Sequence, residues 1–159
     1  MKERDPLLRK GLQYLEDRFG LPAELWEGVT FHRVGDDIWL TTPEALEIAL
    51  PKIRRRGLRF LRTYRGPRFK WTTTAMMLFG ARATRNAVEL TADEAERFVR
   101  GEDLKRDPLP PHCTPGQVIL RFRGQPLGSG LLHRDGRIKN QLPAGRRLPR
   151  LRIEKDTSS

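Results

Sequence analysis

The 159-residue chain carries 31 Lys and Arg against 20 Asp and Glu, a net charge of +11, and its 37% hydrophobic content allows one ordinary domain or two small ones packed together. No run approaches the ~18 consecutive apolar residues of a membrane span, and the N-terminus MKERDPLLRK lacks the apolar centre of a signal peptide, so a cytoplasmic address without a membrane is expected. The lone Cys113 excludes an intramolecular disulfide. With three scattered histidines it supplies no zinc-ligand spacing, and no metal is expected.

Asp5-Pro6 is a good helix opening, Leu8, Leu12, Leu15 and Phe19 follow at helical spacing, and Gly20 closes the helix. A helical turn around Pro22 to Trp26 precedes two β-like runs, Val29 to Val34 and Ile38 to Thr42, joined by Gly35-Asp36-Asp37. Asp36 and Asp37 are adjacent carboxylates, but neighbours on a strand point to opposite sides, so they read as turn acids and not as an acid–base pair. Thr42 caps a further helix from Pro43, whose end Pro51 disturbs. Gly57 to Tyr64 alternates imperfectly, with Leu58, Phe60 and Arg62 set against Arg59, Leu61 and Thr63, and reads as a strand with one Arg-rich face. Thr72 to Thr74 can cap a short helix, Ala75 to Phe79, ended by Gly80; Met76 and Met77 read as core filling.

Asn86 to Thr91 reads as a strand. Thr91-Ala-Asp-Glu94 is a capping box opening a helix with the apolar stripe Ala95, Phe98 and Val99, which runs to Gly101. After Pro108-Leu-Pro-Pro111 the chain turns to β structure. Strands are expected over Gln117 to Phe122, from the turn at residues 123–126 through Leu132, and from Arg137 into Leu142 after the turn Arg134-Asp135-Gly136. A domain boundary is expected near Ala83 to Asn86.

The charge is segregated. Residues 51–70 hold nine Lys or Arg and no acid, with Phe60, Tyr64 and Phe69 among them, and residues 121–152 hold nine more against the single acid Asp135. These stretches contribute +9 and +8, so the remainder of the chain is mildly acidic. Clustered guanidinium groups neutralise phosphates, and aromatic faces stack on bases, so the combination suits RNA or single strands.

No motif of enzyme chemistry is complete in the sequence. Gly128-Ser-Gly130 is nearest to a dinucleotide loop, but Leu131-Leu132-His133 follow where a third Gly is needed and the context is strand, not strand-to-helix; no P-loop appears. His112-Cys113 are adjacent, an arrangement that seldom brings thiol and imidazole face to face, and Cys113 reads as a loop cysteine. His32 and His133 receive no role.

Residues Val88 to Asp103, Pro115 to Gly130 and Gly136 to Pro143 resemble a PUA domain, the small RNA-binding β-barrel of many RNA-modifying and ribosome-biogenesis proteins. The elements Pro-Leu-Gly-x-Gly (126–130) and Lys-Asn-x-Leu-Pro (139–143) are most similar to the PUA-like tail of the Fmu/Sun/RsmF-type rRNA cytosine-5 methyltransferases. Residues 1–85 resemble the region that precedes PUA in those enzymes. The family uses two cysteines and binds S-adenosylmethionine on a Rossmann-like sheet. This sequence has one cysteine and no such sheet, so the resemblance implies a free-standing relative of the tail without the catalytic domain. By the same resemblance, RNA would lie against the first PUA helix and a late strand, at Arg97, Arg100, Arg137, Lys139 and Asn140; Arg97 could instead pair with Asp93 or Glu94 at helical spacing.

The expected fold class is α+β: a small α/β pre-PUA-like domain over 1–85, a PUA-like β-barrel over 86–153, and a flexible tail over 154–159. The expected function is non-catalytic, cofactor-free binding of structured RNA in ribosome biogenesis or rRNA modification, with rRNA the first target and tRNA the second. Arg54, Arg55, Arg56, Arg59, Arg62, Arg65, Arg68 and Lys70 would neutralise phosphates while the PUA face supplies shape and base contacts. The alternative is an accessory subunit that delivers RNA to a separately encoded methyltransferase; a pre-ribosomal particle is the other expected partner.

Overall fold

The computed structural model describes residues 5–41, 57–64 and 68–150. The helix expected from Pro43 lies outside them. The chain divides into two compact units, Met1–Leu78 and Phe79–Ser159.

In the first unit, helix α1 (Pro6–Phe19) starts as the sequence predicts: Asp5 accepts the Leu7 N–H at 2.9 Å, Pro6 occupies the first turn, and Gly20 ends the helix in the left-handed region at φ 69°. After a 3₁₀ turn (Ala23–Trp26) come β1 (Thr30–Val34), β2 (Asp37–Thr41), β3 (Leu58–Tyr64) and β4 (Arg68–Trp71), which form an antiparallel sheet in sequence order. The strand β4 was not expected; its Arg68 and Lys70 read only as charge, although they alternate with Phe69 and Trp71 in a period of two. Helix α1 covers one face: a methyl group on Gly11 would meet Leu61, Ile38 and Phe69 at 2.8–3.3 Å. The ring of Phe19 stands 5.4 Å from Trp71, and that of Tyr14 stands 5.8 Å from Phe69. Helix α2 (Thr73–Phe79) then opens on Thr72, whose hydroxyl accepts the Ala75 N–H at 3.2 Å.

The imperfect alternation of β3 has a physical cause. Ile38 of β2 faces Leu61, yet the next residue, Trp39, faces Arg59, so β3 carries one extra residue at Phe60. Such a β-bulge places two successive residues against one on the partner strand. Phe60 and Leu61 are consequently both buried, where strict alternation would have exposed one of them.

The second unit has a five-stranded sheet of order β5-β7-β8-β9-β6, with β5 (Ala87–Glu89), β6 (Leu104–Lys105), β7 (Gly116–Phe122), β8 (Gln125–Leu132) and β9 (Arg137–Asn140). Strands β5 and β7 run parallel; the other pairs are antiparallel. Helix α3 (Ala92–Val99) has the full capping box, with Thr91 and Glu94 exchanging bonds of 3.2 and 3.0 Å. It buries Ala95 and Phe98 in a core with Val88, Leu104, Leu120 and Ile138. Gly128 and Gly130, of the Gly-Ser-Gly motif, lie inside β8. A Cβ at Gly130 would stand 2.6 Å from Ile138, so the glycines admit close packing and hold no nucleotide turn. The two edge strands are tied by a side chain: Arg106, just after β6, donates to the Glu89 carbonyl of β5 at 2.8 Å. Among the described residues no helix is long and apolar enough to cross a membrane.

Candidate nucleic-acid interface

In the first unit the bulge gathers cations. Leu61, Phe69 and Trp71 face helix α1, so their strand neighbours Arg62, Arg68 and Lys70 point to the opposite face. Arg59 joins them, because the extra residue at Phe60 restores it to the side of its partner Trp39. The sequence pattern had placed Arg59 and Arg62 on opposite faces; the structure places them on one. Arg62 stands directly across from Lys70, and Tyr64 across from Arg68. Burial, then the nearby charge of Arg62, lowers the Lys70 pKa below the ordinary lysine value. Arg59 is partly engaged: its guanidinium lies 3.3 Å from Asp37 and 5.8 Å above the Trp39 ring. Asp36 lies 3.9 Å from Arg33, so both turn acids meet arginines, in keeping with their structural reading.

The aromatic residues of the basic stretch divide between core and surface instead of lying together among the cations. Phe60 is fully buried among Trp26, Phe31 and Trp71, and Phe69 packs on Tyr14, because both fall on the α1 face. Tyr64 remains 42% exposed among the cations. Arg54, Arg55, Arg56 and Arg65 lie outside the described residues.

In the second unit, the expected residues separate by chemistry. On α3, Arg97 lies 3.6 Å from Glu102 and donates to the Asp103 carbonyl at 3.3 Å, and Arg100 pairs with Glu96 one turn earlier. Arg97 thus meets an acid, but at Glu102, beyond the helix. Strand β9 alternates with Arg137 and Lys139 exposed, Ile138 and Asn140 buried. Lys105 of β6 stands opposite Arg137 and is exposed beside it, so Lys105, Arg137 and Lys139 form an outward row. Lys105 escaped sequence reasoning because a two-residue strand carries no periodicity. Asp135 caps the adjoining turn by accepting the Arg137 N–H at 3.0 Å, a bond that lowers its pKa.

Asn140 was expected as an RNA contact, and the structure gives it another task. Its amide donates to the carbonyls of Phe98 at 2.7 Å and Glu102 at 2.9 Å, and its Oδ1 accepts the Leu142 N–H at 2.8 Å. Both amide hydrogens and one lone pair of the oxygen are committed within the domain, so the side chain has no donor left for a base. The bond to Leu142 also explains why β9 stops at Asn140 and not at Leu142. Arg121, from the second basic stretch, is likewise structural. It pairs with Glu89 at 2.6 Å and donates to the carbonyls of Gly80, Ala81 and Ala83 at 2.9–3.3 Å. Cys113 directs its thiol to the Ala87 carbonyl at 3.7 Å. Among the described residues, no three His, Cys, Asp or Glu stand together as metal ligands.

A capped helix laid on a curled, mostly antiparallel sheet with an outward basic strand is the architecture of a PUA domain, and residues 85–148 match the model of the methyltransferase RsmF PUA domain. Over these residues the chain is similar to the RsmF-type PUA family. The chain is 31% identical over 144 residues, 89% of its length, to ribosomal RNA small subunit methyltransferase F of Aeromonas salmonicida, of which it covers 27%. Proteins of the same name from Vibrio parahaemolyticus and Escherichia coli O157:H7 are each 30% identical, over 67% and 74% of this chain and 23% and 24% of their own lengths. The chain therefore spans about a quarter of the length of the curated relatives it matches.

Proposed function

We propose that this chain binds structured RNA, ribosomal RNA in the first place, without catalysing a reaction on it. The observation that carries the reading is the outward row Lys105, Arg137 and Lys139 on a PUA domain of the rRNA-methyltransferase kind. Three adjacent cations on a rigid sheet suit phosphates, whereas Arg97 and Arg100 of the helix already face acids. The basic face of β3 and β4 adds a second electrostatic contact, and residues 86–153 serve as the PUA recognition domain with residues 1–85 before it.

The relatives' names favour a second reading, in which the chain delivers RNA to a separately encoded methyltransferase. Crosslinking and sequencing of bound RNA tests the first reading: rRNA positions should dominate, and random RNA recovery would reject it. Stoichiometric copurification of a methyltransferase from cells would favour the second.

A further inference from the structure

We infer that the face of β3 and β4 opposite helix α1 is a binding site for unpaired nucleotides, in which Tyr64 stacks on a base while Arg62, Arg68 and Lys70 hold the flanking phosphates. The inference rests on the RNA-binding reading and adds to it a ligand class and a stacking residue.

The register carries it. Cross-strand partners share a face, so the pairs Arg62–Lys70 and Tyr64–Arg68 place three cations around one ring. Side chains two residues apart on a strand are ~6.5 Å apart, and those directly opposite are ~5 Å apart, so the four form a compact block. Like charges directly opposite each other destabilise a sheet. Arg62 and Lys70 nevertheless occupy such a pair, and Lys70 is half-buried. A phosphate between them removes the repulsion and replaces the water lost by the ammonium. Asp37, on the adjoining strand β2, is held by Arg59.

The ring decides the kind of nucleic acid. In a duplex the bases are stacked on one another and present only edges and backbone, so an exposed tyrosine among cations gains nothing from it beyond contact. In a single strand each base has a face to offer, and aromatic stacking is tolerant of sequence. Phe60 and Phe69 are spent on the core, which leaves Tyr64 as the ring aimed outward in this strand pair. A sheet face of this charge could also receive an acidic protein segment, for which a tyrosine flanked by arginines supplies no stacking partner.

The test uses the full chain, a short fluorescent oligouridine, and a blunt RNA duplex of equal length at one fixed salt concentration. Tyr64→Leu should weaken oligouridine about tenfold while leaving the duplex unchanged, since stacking is worth ~1–3 kcal/mol per base. Tyr64→Phe should stay within about twofold of the parent. Equal weakening of both RNAs by Tyr64→Leu, or no change in oligouridine when Arg62→Gln weakens it, would overturn the stacking assignment. Competition by polyglutamate as strong as that by oligouridine would overturn it in favour of an acidic protein. If the parent binds neither RNA, the RNA-binding reading fails together with this one. If Arg137→Gln with Lys139→Gln weakens RNA and Tyr64→Leu does not, the stacking site alone fails. Thermal unfolding must match the parent for each variant.

Discussion

Arg106 grips Glu94 through two hydrogen bonds of 2.7 Å, one from Nε and one from a terminal guanidinium nitrogen, while it also reaches the Glu89 carbonyl. One side chain therefore joins the start of helix α3 to both edge strands. The same carboxylate completes the capping box with Thr91, so its charge is used twice.

Glu94 should be the acid-sensitive point of the PUA domain. The hydrogen-bonded Arg106 guanidinium holds the Glu94 carboxyl below its ordinary range. A carboxylate with a lowered folded pKa contributes stability that is complete above ~4.3 and lost as pH falls through the folded value. Glu94→Gln should cost about 1–3 kcal/mol at neutral pH and flatten the acid limb of the stability curve, measured by urea unfolding between neutral and acid pH. An unchanged acid limb would show that other carboxylates govern it.

Asn140 and Lys139 are neighbours with opposite expected phenotypes. Asn140→Ala should lower stability by about 2 kcal/mol or more, because the carbonyls of Phe98 and Glu102 and the Leu142 N–H lose their partner. Lys139→Ala should leave the unfolding temperature within about one degree of the parent and weaken RNA binding, since its side chain faces outward. Calorimetry and fluorescence anisotropy on the same preparations separate the two outcomes.

Affinity for RNA should fall with salt at a log–log slope on the order of −4 to −7, for roughly six to ten phosphates at ~0.7 each. Arg62→Gln together with Arg68→Gln should make the slope shallower by about one unit or more. A flat slope for the parent would remove the electrostatic mechanism.

Lys70 should titrate below an ordinary lysine, and Arg62→Gln should raise its pKa, because that substitution removes one of the two causes of the shift. The folded state binds the Lys70 proton less tightly than the unfolded chain, so the contribution of this residue to stability rises with pH from its folded pKa toward ~10.4. Bound single-stranded RNA should move the pKa upward by supplying phosphate charge. NMR of isotopically methylated lysines reads all three effects.

Cys113→Ala should leave RNA affinity unchanged, because the thiol is turned to the Ala87 carbonyl inside the domain. The purified chain should show no stoichiometric S-adenosylmethionine binding by calorimetry. Detection of such binding would reverse the non-catalytic reading.

Much of the architecture was legible wherever local chemistry writes it. Asp5-Pro6, Gly20, the capping box at Thr91 and the turn at Asp135 each announce themselves through a specific hydrogen bond that the structure contains. What escaped was set by pairing across distance. Strand β4 lay hidden in a run legible as charge, and β6 is too short to show a period. The candidate site divides in the same way. Basic residues were visible as such, but which of them meet an acid depends on neighbours remote in sequence, as with Arg121 and Glu89 or Arg59 and Asp37. The Lys-Asn dipeptide at 139–140 looked like one recognition unit, and the alternation of β9 gives it one residue for solvent and one for the core.

The bulge at Phe60 also fixes the phase of the strand that follows it. Ironing it out with the sequence unchanged would send Arg62 and Tyr64 toward helix α1 and turn Leu61 to the opposite side, a slip that carries a cation into an apolar layer. Deleting Phe60 would instead keep Arg59 and Arg62 outward while taking one ring from the core. Strand β3 thus behaves like a reading frame with a single built-in shift, and the identity of its outward side is protected by the cost of burying charge.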